Sequence, residues 1–179
     1  MTDISQLSLQ EPDPVEWGEY QVGGVPIAPP PAGTYTGSAP DKIDFTATNA
    51  GKLMAIVDPI KIIGPTNAGE EIRFTRVSTA RYKNRNGSPA GDYLKACGVN
   101  PTGPLTNEDY VNLFESTAGR PFQFDLDWEA YDKEDGFSLE GMENFPDDGK
   151  GGKSFYVVNP STGNKLRARA RVRRFRPAV

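Results

Sequence analysis

Phe122-Gln123-Phe124-Asp125-Leu126-Asp127-Trp128-Glu129 alternates large apolar residues with polar ones over eight positions. Side chains two apart on a strand share a face, so this period predicts a half-buried β-strand with an aromatic inner face. Leu166 to Arg173 repeats the pattern: Leu166, Ala168, Ala170 and Val172 alternate with Arg167, Arg169, Arg171 and Arg173. With Phe155–Val158 and the turn Asn159-Pro160-Ser161-Thr162-Gly163, Lys165–Phe175 reads as a closing hairpin.

Upstream the same logic yields three more strands. Thr34-Tyr35-Thr36 with Ile43 and Phe45 predicts a first strand broken near Gly37–Pro40. Leu53–Ile63 is β-branched, with Pro59 marking a bulge or an edge. Glu71–Ser78 predicts a third strand with Ile72, Phe74 and Arg76 on one face and Arg73, Thr75 and Val77 on the other. Two short helices follow. Ser88-Pro89 is an N-cap with proline at the first helical position and Gly98 stands at the C-terminal end, framing Tyr93, Leu94 and Cys97. Thr106-Asn107-Glu108-Asp109 opens the second, with Tyr110, Leu113 and Phe114 on one face and Gly119 beyond it. The expected fold class is mainly β with a short helical insert (α+β), an OB-like small barrel of five to six strands. Residues 1–32, ending in Pro29-Pro30-Pro31, read as a flexible acidic tail, 33–179 as the domain, and 132–152 as a long acidic loop.

Composition narrows the function. Apolar residues are 36% of the 179, and 19 Gly with 16 Pro point to long loops around one core. The single cysteine forbids an internal disulfide and suits a reducing compartment, and no apolar run approaches a membrane span. The chain has no histidine, which removes the commonest general base and every His-dependent triad. Cys97 falls on a helix's apolar side, where an inert thiol is expected. Asp125, Asp127 and Glu129 share a face, but neither a His ligand nor a suitably spaced lysine supports a two-metal nuclease. The loop from Asp132 to Gly136 fails as a calcium site, because its first and last ligands would be Tyr131 and Met142. The sequence therefore predicts no enzyme, no cofactor and no metal.

The net charge of −4 hides a segregation. Residues 1–20 hold five carboxylates and no base, and 125–148 hold ten against Lys133 alone. Seven of the twenty basic residues lie in the last fifteen positions. On a strand, Arg167, Arg169, Arg171 and Arg173 form a ladder with steps of about 6.6–6.8 Å, close to the phosphate repeat of an extended single strand. Guanidinium suits forked contact with phosphate and stacking on bases; the bland alternative is an edge strand kept soluble by charge. Arg73, Arg76, Arg81, Lys83 and Arg85, with Tyr82 among them, form a second cluster that either wraps a backbone or is a solvated hairpin tip. Trp128 and Tyr131 are candidate stacking platforms or core, while Phe122 and Phe124 read as core.

Ala32-Gly33-Thr34-Tyr35, the strands Lys52–Gly64 and Glu71–Ser78, Asp92-Tyr93-Leu94 with Ala96-Cys97-Gly98, and Gly119-Arg120-Pro121-Phe122 resemble the phage-encoded single-stranded-DNA-binding-like proteins. The resemblance spans about residues 32–130 and rests on order and spacing. It implies an OB-type fold and sequence-tolerant binding of single-stranded DNA, with RNA as an alternative ligand. It also implies a role in phage replication or recombination in the host cell cytoplasm, with oligomerisation open. Bacterial single-stranded-DNA-binding proteins end in an acidic, partner-recruiting tail, whereas this chain ends in Arg174-Phe175-Arg176-Pro177-Ala178-Val179. Its acidic segments at residues 1–32 and 132–148 are the candidates for recruiting phage or host replication proteins, or for competing with DNA. The alternative reading, from another class, is a virion structural or assembly protein.

Overall fold

Alternating apolar positions need a second layer to cover them, and in this protein two antiparallel sheets and two short helices supply it. The computed structural model describes residues 3–14, 30–130, 138–145, 154–158, 162–163 and 165–179. The elements are β1 (Gly33–Ser38), β2 (Asp44–Ala47), β3 (Leu53–Ile56), β4 (Ile60–Gly64), β5 (Glu71–Ile72), β6 (Arg76–Ser78), α1 (Pro89–Ala96), α2 (Asn107–Glu115), β7 (Pro121–Ala130), β8 (Ser138–Phe145), β9 (Ser154–Val158) and β10 (Lys165–Pro177). A seven-stranded sheet runs β5-β4-β1-β7-β10-β9-β8, and a three-stranded sheet runs β2-β3-β6.

The expected second and third strands each serve both sheets. β3 and β4 are separated at Val57–Pro59, where Pro59 was expected to disturb the ladder, and β5 and β6 at Arg73–Thr75. The backbone N–H of Val57 donates to the Thr75 carbonyl at 2.9 Å, so the pairing continues around the corner. Strands that bend from one sheet into another are how such corners are built. Among the described residues the sheets do not close into a barrel, and there are ten strands where five to six were expected.

Three other expectations change. The break after Gly37 is a change of sheet, with β1 in the large sheet and β2 in the small one. Phe74, expected on the same face as Ile72, is 58% exposed where Ile72 is buried, and Thr75 and Val77, expected on the opposite face, are buried. The expected loop 132–152 contains β8, paired with β9; residues 131–137 and 146–153 lie outside the described residues.

The core gathers Tyr35, Ile60, Ile62, Tyr93, Leu94, Phe114, Phe122, Phe124, Leu126 and Trp128. Gly37 is buried because a Cβ there would stand 2.8 Å from both Ile60 and Phe124. Ser88 caps α1 through Gly91 N–H, and Thr106 caps α2 in a capping box with Asp109. Of the expected tail, residues 3–14 are exposed, whereas Pro30 is buried and its carbonyl accepts from Trp128 Nε1 at 2.8 Å. The Pro31 carbonyl accepts from the Tyr35 hydroxyl at 2.6 Å, so the chain is fixed to the core from Pro30 onward. None of the helices among the described residues is long and apolar enough to cross a membrane.

Candidate nucleic-acid interface

β7 lies between β1 and β10, and its register decides what each face carries. Tyr35 stands opposite Phe124, and Ala170 and Val172 opposite Trp128 and Leu126, all on the inner face. The outer face presents Gln123, Asp125, Asp127 and Glu129 on β7, with Thr34 of β1 opposite Asp125. On β10, Arg169, Arg171 and Arg173 stand opposite Glu129, Asp127 and Asp125.

The arginine ladder is therefore laid against a carboxylate ladder. Arg169 Nε donates to Glu129 at 2.6 Å, and Arg171 reaches the other oxygen of Glu129 at 3.6 Å. Arg173 meets Asp127 at 3.2 Å. Asp125 holds Arg176 at 2.7 Å and Arg174 at 3.4 Å, and accepts from the Thr34 hydroxyl at 2.8 Å. The hydrogen bond from Arg176 leads in holding the Asp125 carboxyl down at about 2, helped by Thr34 and by the charges of Arg176 and Arg174, against a desolvation that opposes it. Among the described residues five guanidiniums thus share three carboxylates, a surplus of two positive charges, and their side chains remain 39–72% exposed. Each guanidinium has five N–H donors, so pairing with a single carboxylate leaves others available. These same carboxylates, considered as metal ligands in the sequence, are engaged by arginine instead.

Arg174 and Arg176 join this face through a bulge. Between Arg173 and Arg176 the register slips by one residue, and Arg174 takes a left-handed φ of 55°. The extra residue reverses the alternation, turning Phe175 onto Tyr93 and Phe122, with ring centroids 5.5 and 5.7 Å away, and sending Arg176 outward. The signal was present in the sequence: two consecutive arginines interrupt an otherwise strict alternation.

Arg167 sits on β10 opposite Tyr156 of β9; its side chain lies outside the described part of the structure, as does the whole of Tyr131. β9 pairs with Lys165–Ala168 and β7 with Ala168–Pro177, so among the described residues each half of β10 has a strand on one side and the stretch that carries Arg169, Arg171 and Arg173 pairs with β7 alone.

Trp128 is 6% exposed and donates its indole N–H to Pro30, so it is a core residue with no open ring face for a base. Tyr82 is half-buried, its hydroxyl bonded to Asp92 at 2.7 Å and its ring covered by Arg85 at 4.0 Å. Desolvation leads in pushing the Tyr82 phenol up, and Asp92 adds to it. Arg85 also meets Asp92 at 3.6 Å, and Tyr82 N–H donates to the Gly87 carbonyl at 2.9 Å. The basic segment is thus a closed knuckle between β6 and α1, with Arg81 and Lys83 exposed and unpaired among the described residues. Arg73 pairs with Glu71 at 2.9 Å and approaches Asp58 at 3.9 Å, while Arg76 on β6 is exposed. Arg73 lies away from the arginine ladder: β5, beside it, is four strand spacings from β10, about 19 Å across a flat sheet. Cys97 is buried, and desolvation pushes its thiol up to about 11.

No family model, curated protein or solved structure matches the chain.

Proposed function

We propose that the protein binds single-stranded DNA without sequence preference and without catalysis, in phage replication or recombination within a host cytoplasm. The outer face of β7 and β10 is the binding surface. The observation that carries this reading is the surplus on that face: among the described residues, five arginines with side chains 39–72% exposed over three carboxylates, at a strand spacing close to the phosphate repeat. Exposed ion pairs contribute only about 0–1 kcal/mol each. A phosphate can therefore replace or bridge them at little cost and gain charge-assisted, forked hydrogen bonds. Under this proposal the two sheets, joined through the bent β3–β6 hairpin, are an opened form of an OB-type barrel. The likeness to phage single-stranded-DNA-binding-like proteins is part of the same proposal.

The test is fluorescence anisotropy of labelled single- and double-stranded oligonucleotides against a salt series. Single strands should bind more tightly. An Arg169→Ala/Arg173→Ala variant should bind more weakly, with the slope of log affinity against log salt reduced by roughly 0.7 for each phosphate no longer neutralised. Equal affinity for both forms, binding to neither, or an unchanged slope in the variant overturns the reading.

A further inference from the structure

The strand that carries Glu71–Ile72 in one sheet and Arg76–Ser78 in the other turns its corner at Phe74, whose φ is 68°. That left-handed conformation is open to glycine and costly for a bulky side chain. The ring gains little from the core in return, because Phe74 is 58% exposed while Ile72, Thr75 and Val77 around it are buried. Asp58 props the corner: its Oδ2 accepts from the Phe74 backbone N–H at 3.2 Å, and its Oδ1 faces Arg73 at 3.9 Å. Asp58 Oδ1 and Thr75 Oγ1 are both buried beside this corner without a hydrogen bond. Glycine would build the turn with less strain, so the core gives no reason for an aromatic ring here. A non-glycine residue held in a strained conformation is a pointer to function.

The surroundings indicate which function. Arg73 and Arg76 stand one residue before and two after Phe74 and are exposed; Arg73 pairs with Glu71 at 2.9 Å, and Arg76 has no ion pair among the described residues. An exposed aromatic ring with exposed arginines on either side of it in the chain matches a nucleotide, with the base stacked on the ring and phosphates on the arginines. An apolar protein partner would need neighbouring apolar surface, and Ile72 and Val77 are turned inward. We propose that Phe74 is a base-stacking platform on the single-stranded nucleic-acid path, with Arg73 and Arg76 holding the flanking phosphates. This proposal rests on the single-strand binding put forward above. β5, which ends two residues before Phe74, stands four strand spacings from β10, about 19 Å across a flat sheet, within reach of a strand of roughly 4–16 nucleotides.

The test compares wild type, Phe74→Gly and Phe74→Leu for binding to a labelled 20-mer of deoxythymidine and to a base-free sugar-phosphate 20-mer. Phe74→Gly relieves the strained backbone, and Phe74→Leu keeps apolar bulk without a planar ring and carries the test if the glycine variant fails to fold. Both variants should lose about five- to 150-fold in affinity for the thymidine strand. Their affinity for the base-free strand and their salt slope should stay at wild-type values, and Phe74→Gly should melt no lower than wild type. Wild-type affinity of both variants for the thymidine strand overturns the role of Phe74 and leaves single-strand binding standing. Failure of the wild type itself to bind that strand sinks both proposals.

Discussion

The carboxylates under the arginine ladder should hold DNA affinity down, and removing two of them should raise it. Asp127→Asn with Glu129→Gln preserves side-chain shape and raises the described charge of the β7–β10 face from two to four, since five arginines then oppose Asp125 alone. Guanidinium–carboxylate separations here are 2.6–3.6 Å. A phosphate oxygen accepting from the far side of such a guanidinium therefore stands about 6 Å from the carboxylate, a repulsion of about 0.7 kcal/mol in water. Two carboxylates give about 1.4 kcal/mol, a tenfold gain in affinity at low salt. At physiological ionic strength the Debye length is about 8 Å, which halves the effect to about threefold. Anisotropy titrations with a labelled thymidine 20-mer at low and physiological salt read both values. Loss of stability should be slight, because both carboxylates are partly exposed, 39% and 26%, and such surface pairs contribute little. Unchanged or weaker binding at low salt would refute the competition between carboxylate and phosphate, and would make these groups positioning partners for the arginines.

Three further outcomes follow from the packing. Trp128→Ala should cost about 3–5 kcal/mol in chemical denaturation, and Trp128→Phe about 1 kcal/mol for the missing hydrogen bond to Pro30; an unchanged midpoint with weakened oligonucleotide binding would return Trp128 to the stacking role. Gly37→Ala should destabilise by about 1–3 kcal/mol, because the new methyl group meets Ile60 and Phe124 within the core; a variant as stable as wild type would show that the core yields there. The Asp125 carboxyl is lowered to about 2, so its contribution is present above pH 4 and lost as pH falls through about 2. Asp125→Asn should therefore destabilise by about 1–2 kcal/mol at neutral pH, discounted for its exposed partners, and by almost nothing near pH 2. An equal loss at both pH values, read from urea midpoints, would assign the effect to packing.

Much of the site was legible residue by residue, and its pairing was not. The period-2 patterns of Phe122–Glu129 and Leu166–Arg173 each define a strand and its two faces without a partner. Nothing in either segment says that β7 and β10 are neighbours, yet their complementary charges at matching spacing were the available signal, since opposite charges stabilise cross-strand pairs. The caps at Ser88 and Thr106 were readable because they are local chemistry. β8 was not, because Ser138–Phe145 carries Gly141 and two glutamates and pairs through its neighbour β9 rather than by propensity. The shared face expected for Ile72 and Phe74 failed for a related reason. Alternation is continuous only within one sheet, and this strand changes sheets between Ile72 and Arg76.

The bulge in β10 couples the charged face to the core. Strict alternation beyond Val172 would send Arg174 inward and leave Phe175 on the charged face, since one residue of slip exchanges the two faces. With the extra residue, Phe175 closes the aromatic group of Tyr93 and Phe122, and both Arg174 and Arg176 reach Asp125. That carboxylate consequently answers two guanidiniums and the Thr34 hydroxyl, as Glu129 answers Arg169 and Arg171, while Asp127 answers one guanidinium, Arg173, and the Trp128 backbone N–H among the described residues. Among the described residues the surplus of guanidiniums over carboxylates therefore sits at the two ends of the carboxylate ladder. A phosphate approaching an end competes with one carboxylate divided between two arginines, and one approaching the middle competes with a matched pair. In the proposed complex the two ends are the first anchoring points for an extended strand, spaced by the four-residue rise from Asp125 to Glu129, about 13 Å. The arrangement favours two phosphates about two repeats apart over a single isolated anion.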